Sequence, residues 1–309
     1  MFSFPSNFPS SRALKWEARQ LMRYPGCLHV ALIVTGLYLV FLGLRSTLGA
    51  NLTYALADLS KYQDTATGFY PNEQGFSLIL RMDVTQTVLA IPLTYQQIFL
   101  FVVVTLLAFL VLSPLRLGAM EMFWRVVWGE RPTMQKTMLP WLTNPARWGK
   151  AVVVEAVLQG GVRLLGLVAM VPSLLLYYYF YTHATALSQV TTQLALIQTL
   201  ALLLAIAAGL VTFYLYSIFL PIPYCLAMHP DITLKQVFVG GMSALQGRRG
   251  RFFRFRLTFL PWLLLSQLTY RTIDIFVLPY TSIANMRFLQ ALAAERQEIE
   301  LNLYSPSDS

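Results

Sequence analysis

Apolar positions in this chain come in long unbroken runs, not in the short alternations or four-residue rhythms of a soluble core. A bilayer hydrocarbon layer of about 30 Å takes roughly 20 apolar residues in helix. Five runs meet that length, over residues 27–44, about 91–112, 151–178, about 194–220 and about 257–278. The first is longer than the roughly 7–15-residue apolar core of a signal peptide and reads as a retained span. The pattern therefore predicts an all-α, polytopic transmembrane helix bundle over 27–281, with five spans. Residues 282–301 carry Ile283, Phe288 and Leu292 at helical spacing. They are expected as an amphipathic helix on the outer interface, within a 282–309 tail, or alternatively as a sixth span. Asp274, Asn285 and Arg287 make that second option costly in hydrocarbon.

Between the runs the polar pattern predicts interfacial helices. Arg12, Lys15, Arg19 and Arg23 are spaced by three, four and four residues and share one helix face, opposite Leu14, Ala18 and Leu21. A helix over 1–26 of this kind either lies in the headgroup layer or packs on the protein's own loops. In the loop 221–256, Thr233 with Gln236 forms a capping box ahead of Leu234, Val237, Phe238, Met242 and Leu245, and Gly247 is placed to end the helix. The loop 113–150 has a looser counterpart in Thr133, Met134, Met138, Leu139 and Leu142, followed by Arg147 and Lys150. The shared plan is either an internal repeat or the common need of such loops.

Composition changes the picture little and charge orients it. Hydrophobic residues make up 56% and charged residues 12%, too few charges to cover a soluble surface. The formal charge of +9 sits in blocks between apolar runs, which suits anionic lipid headgroups and argues against nucleic acid. Sixteen basic residues fall before the first run and in loops 113–150 and 221–256. Only Arg45, Lys61 and Arg81 fall in the two opposite loops. The positive-inside rule then places the amino terminus in the cytoplasm. Cys27 and Cys225 are expected to stay reduced and buried.

Candidate chemistry is sparse. His29, His183 and His229 belong to no zinc-protease pattern, and the chain has no phosphate loop or nucleophile elbow. No catalytic residue, metal site or cofactor is expected. Ionisable groups inside runs stand out, because each costs about 2.5–3.5 kcal/mol at mid-membrane. Glu155 and Arg163 lie in the third run; Arg271 and Asp274, three apart in the fifth, are able to pair. Together they form a candidate intramembrane polar patch, with Gly160, Gly161 and Gly166 permitting close helix approach there. Tyr177 to Tyr181 suit an outer aromatic belt. Candidate lipid-headgroup contacts are Arg12, Lys15, Arg19, Arg23, Arg248, Arg249 and Arg251.

Tyr216-Ser217, His229-Pro230-Asp231-Ile232-Thr233, Gly247-Arg248-Arg249, Leu257-Thr258-Phe259-Leu260-Pro261-Trp262 and Pro279-Tyr280 together resemble the DUF975 family of bacterial integral membrane proteins. Arg12-Ala13-Leu14-Lys15 and Leu117-Gly118 fit the same pattern, while Pro261 stands where that pattern has glycine. The resemblance implies a helical membrane fold and a bacterial plasma membrane, and no activity. The expected function is a non-enzymatic scaffold, assembly or regulatory component of the envelope with a membrane-protein partner. The alternative is a small-molecule or lipid transporter using the polar patch, and a lipid-modifying enzyme is disfavoured for want of a nucleophile or metal.

Overall fold

A computed structural model describes residues 8–53, 68–72, 75–82, 87–187 and 191–304, with side chains described over 8–46, 95–96, 98–176 and 196–295. Helix α1 (Ser11–Met22) starts at Ser10, whose hydroxyl accepts from the Ala13 amide at 3.2 Å. Helix α2 (Pro25–Thr53) follows with proline in its first turn. Three strands come next: β1 (Gly68–Asn72), β2 (Gly75–Met82) and β3 (Thr87–Thr94). They form an antiparallel meander with β2 central, Phe69 opposite Leu78 and Ile91 opposite Leu78 across the other edge. This small sheet is an addition to the all-helical expectation, and it takes Ile91 to Thr94 away from the second run. Helix α3 (Tyr95–Val127) begins only after the strand ends, then continues through Pro114 well beyond residue 112.

Past α3 come α4 (Met134–Thr143) and α5 (Pro145–Glu155), then a π-helical turn (Ala156–Gly161) and α6 (Val162–Leu187). Asn144 caps α5 by accepting from the Ala146 amide. Helices α7 (Thr191–Phe219), α8 (Pro221–Met228) and α9 (Leu234–Ala244) follow, and the Thr233–Gln236 capping box forms as expected. The last three are α10 (Arg249–Leu257), α11 (Leu260–Leu268) and α12 (Asp274–Tyr304).

Among the described residues, four stretches are long and apolar enough to cross a membrane: Pro25–Ser46, Ile98–Val127, Pro145–Leu176 and Leu196–Met228. Large apolar side chains such as Leu164, Leu167, Val168 and Leu202 are exposed along them. Exposed leucine is unfavourable against water, but lipid tails are as apolar as leucine and remove the penalty.

The fifth expected span is not one helix. Residues 257–278 divide between the end of α10, all of α11, a turn and the start of α12. With nine residues, α11 rises only about 13 Å, less than half a hydrocarbon layer. Its end is set by Tyr270 and Arg271, both left-handed with φ of 50° and 63°, and by the Arg271 amide donating back to the Ser266 carbonyl. Two successive non-glycine residues in that region reverse the chain.

The carboxyl-terminal helix also departs from expectation. Ile283, Phe288 and Leu292 of α12 are 0%, 1% and 2% exposed, so this face lies in protein and not on a lipid surface. Helix α12 packs along α1, whose Leu14 and Ala18 are likewise buried. The outer-interface placement of residues 282–301 would set them apart from residues 1–26, yet α1 and α12 meet. The chain breaks before α12 at Tyr270 and Arg271, and α12 then packs along α1.

The chain forms two compact units. The first comprises residues 1–39, 110–160 and 214–309, and its core joins Phe123, Trp141, Phe252, Phe255, Phe259 and Phe288. A ladder of rings runs through it, Phe252 and Phe255 against Phe288, then Phe255 to Phe259 to Tyr280. Gly241 lets α9 seat on α8, since a Cβ there would lie 2.6 Å from the Ile222 Cα. Close packing thus accounts for that glycine. The second unit comprises residues 40–109 and 161–213. Within it Gly166 faces Thr212, Ser173 donates to the Ala201 carbonyl at 2.9 Å, and Arg45 lies over Phe101.

Candidate functional site

Polar side chains from seven elements converge inside the first unit. Glu155, the last residue of α5, is 5% exposed and pairs with Arg116 of α3. The same carboxylate accepts from Gln159, which sits in the π-helical turn. A π turn widens the helix by one residue, and such turns occur frequently at functional sites. Gly160 and Gly161 close this one, and a Cβ on either would meet nothing within 4 Å. Of the three glycines expected to allow close approach, only Gly166 does so.

From Arg116 the network extends to α7 and α8. Tyr216 is within hydrogen-bonding reach of the Arg116 guanidinium, and Tyr224 lies near it. Arg256 of α10 sits 5.2 Å from the Tyr216 ring centroid. Burial lowers the Arg256 pKa, and the neighbouring Tyr216 and Tyr224 oppose that shift. Asn285 of α12 donates to the Tyr224 hydroxyl at 3.2 Å, and Ser282 is within hydrogen-bonding reach of the same group. The Asn285 side-chain oxygen is buried without a hydrogen-bond partner.

A second carboxylate lies elsewhere in this unit. Glu121 of α3 is 3% exposed; one oxygen accepts from Arg125 at 2.7 Å and the other from the Trp141 indole at 2.7 Å. That contact holds α4 against α3, where Gly118 leaves room for the Met138 backbone. Arg147 pairs with Asp231 at 3.0 Å, and Lys150 donates to the carbonyls of Pro230 and Ile232. The start of α9 is thereby tied to α5.

The four residues of the expected patch do not form one cluster. Glu155 belongs to the network above, while Arg163 lies in the second unit with its side chain exposed. Asp274 accepts from Ser266, and Arg271 lies 4.7 Å from the Tyr38 ring centroid. Among the described ion pairs there is none between Arg271 and Asp274. Left-handed backbone at Arg271 places it outside α12, so the helical i,i+3 geometry that such a pair needs is absent.

Several expected headgroup contacts are engaged by protein. Lys15 lies 4.9 Å from the Phe259 ring centroid, and burial followed by Arg19 lowers its pKa. Arg248 and Arg251 both pair with Glu295, and Arg251 also covers the Phe8 ring at 3.6 Å. Arg12, Arg19, Arg23 and Arg249 remain exposed. Cys27 and Cys225 are free thiols. Among the described residues no three His, Cys, Asp or Glu side chains are grouped to hold a metal. The tyrosine belt at 177–181 and His183 have side chains outside the described residues.

Sequence reading missed Arg116, Tyr216, Tyr224, Arg256 and Asn285 as one system, and Glu121 with Trp141 as a second. Two signals were available: Glu121 and Arg125 are one turn apart, and Tyr216 belongs to the Tyr-Ser pair of the family pattern. Other residues of that pattern act as joints: Asp231 and Thr233 fix the start of α9, Gly247 has φ of 78°, and Tyr280 meets Phe259 edge to face.

Residues 60–296 match the family model described as "Protein of unknown function (DUF975)". No curated protein matches the chain, and neither does any solved structure.

Proposed function

The chain belongs to the DUF975 family, whose description assigns no activity, and from that premise we propose a function on the strength of the site alone. The protein is a non-enzymatic multi-pass component of the bacterial plasma membrane, acting as a scaffold, assembly or regulatory factor for another membrane protein. Its amino terminus faces the cytoplasm, a reading supported by the sixteen basic residues flanking one set of span ends.

One observation carries this reading: the buried carboxylates of the first unit are neutralised within the fold. Glu155 is taken by Arg116 and Gln159, and Glu121 by Arg125 and Trp141. Groups so engaged lock helices together and are not available to carry a solute or a proton. Purification from native membranes in mild detergent, with the tag at either end, should return the same partner at stoichiometric level from independent preparations. Repeated recovery of the protein alone, under conditions that keep known complexes intact, would overturn the reading.

Transport is the second reading, favoured by the π turn beside Glu155 and by the broken helix at α11, since transporters place such irregular backbone at their binding sites. Reconstituted vesicles would then show a solute flux that Glu155→Gln abolishes while folding is retained. Equal flux in both proteins removes Glu155 from any pathway.

A further inference from the structure

Helix α1 presents a face that is largely exposed. Arg12, Trp16, Arg19 and Arg23 are spaced by four, three and four residues, so they line one side of the helix. All four are exposed, Trp16 to 62%. The opposite side, with Leu14 and Ala18, is consumed by packing in the first unit. Lys15, expected with the arginines, has turned onto Phe259. Glu17, the one acid in α1, pairs with Arg287 at 3.5 Å, and among the described ion pairs none involves Arg12, Arg19 or Arg23.

We propose that this arginine–tryptophan face binds the headgroups of anionic phospholipids. Its position follows from the chain: α1 ends at Met22, and the apolar stretch Pro25–Ser46 begins three residues later, so α1 sits where hydrocarbon gives way to headgroups. Three guanidiniums on one helix face, two turns and then one turn apart with Trp16 between the first two, match a row of phosphates, which arginine holds by paired hydrogen bonds. An indole exposed among arginines is a poor surface for bulk water. It suits the headgroup layer, where the ring meets apolar chains and the N–H stays hydrated. Arg19 also reaches the Tyr280 ring at 5.7 Å, which fixes the middle of the row against α12. The amphipathic helix thus works in the reverse sense to a floating one: its apolar side holds protein and its basic side holds lipid.

The test uses the full-length protein in detergent micelles carrying either phosphatidylglycerol or phosphatidylcholine, with retained lipid counted by native mass spectrometry. The parent should retain phosphatidylglycerol in preference to phosphatidylcholine. The Arg12→Gln/Arg19→Gln/Arg23→Gln variant, unchanged in thermal unfolding, should lose phosphatidylglycerol affinity by roughly 100-fold, about one decade or less per arginine. Arg163→Gln, which removes an exposed cation elsewhere, should retain phosphatidylglycerol as the parent does. Equal retention by the triple variant overturns the proposal and leaves the face to a protein partner; equal loss in Arg163→Gln overturns it by making the binding non-specific. Should the triple variant fold poorly, quenching by brominated phosphatidylglycerol of the fluorescence that Trp16→Phe removes provides the second measurement. A Trp16 contribution that is not quenched also overturns the proposal. A missing protein partner bears only on the scaffold reading and leaves this result untouched.

Discussion

Glu121 and Glu155 are both buried carboxylates of the first unit, and they are neutralised by opposite means. Glu121 finds its cation one helical turn away, on Arg125, whose side chain is 41% exposed and also approaches Glu130. Glu155 finds its cation on another helix, on Arg116, and a π turn brings Gln159 to the same oxygen. A local pair forms whenever its helix forms. A distant pair forms only when the bundle assembles, so it reports on assembly and contributes to specifying it.

The largest effect should come from removing the distant cation. Arg116→Leu leaves Glu155 buried and unpaired, and should destabilise the protein by about 3–5 kcal/mol, measured by thermal unfolding in detergent. Adding Glu155→Leu to that variant should recover most of the loss. A single variant as stable as the parent would break the comparison, because the pair would then be idle. Next in size, Trp141→Phe strips one hydrogen bond from Glu121 and should cost about 1–3 kcal/mol. Arg125→Leu should fall at or below that range, because the indole stays in place and water reaches the vacated position. Its effect should shrink in added salt while that of Arg116→Leu persists, since ions screen exposed pairs more than buried ones. The smallest change is expected for Glu17→Gln, which removes a surface pair with Arg287 and should stay within about 1 kcal/mol.

Much of this was legible in the chain. Four of five apolar runs correspond to helices of spanning length, and the capping box at Thr233 formed as the spacing implied. The helix of the second run extends past residue 112, since α3 continues through Pro114 to Val127, while its start was misplaced because Ile91 to Thr94 pair with β2. Hydropathy does not separate a strand from a helix over so few apolar residues. The fifth run failed for a different reason. Thr269 to Thr272 look like polar residues inside a helix, and only the left-handed backbone of Tyr270 and Arg271 turns them into a reversal.

The candidate site was less legible than the fold. Glu155 and the i,i+4 relation of Glu121 to Arg125 can be read directly. That Arg116, Tyr216, Tyr224, Arg256 and Asn285 converge on one place cannot, because they come from five helices and share no spacing. Nor does periodicity tell which side of α1 meets protein. The helix has an apolar and a basic side either way, and the decision belongs to the residues of α12 that meet Leu14 and Ala18.

By itself, the sequence determined the membrane-suited runs, the clustering of positive charge and the local caps, each of which depends on composition or on residues within a turn or two. Tertiary structure alone decided the half-length helix, the meeting of α1 with α12, and the partner of each buried charge. The physical reason is range: hydropathy and capping act between near neighbours, whereas a buried ion pair or a covered helix face is settled by whichever distant segment packs closely enough to exclude water.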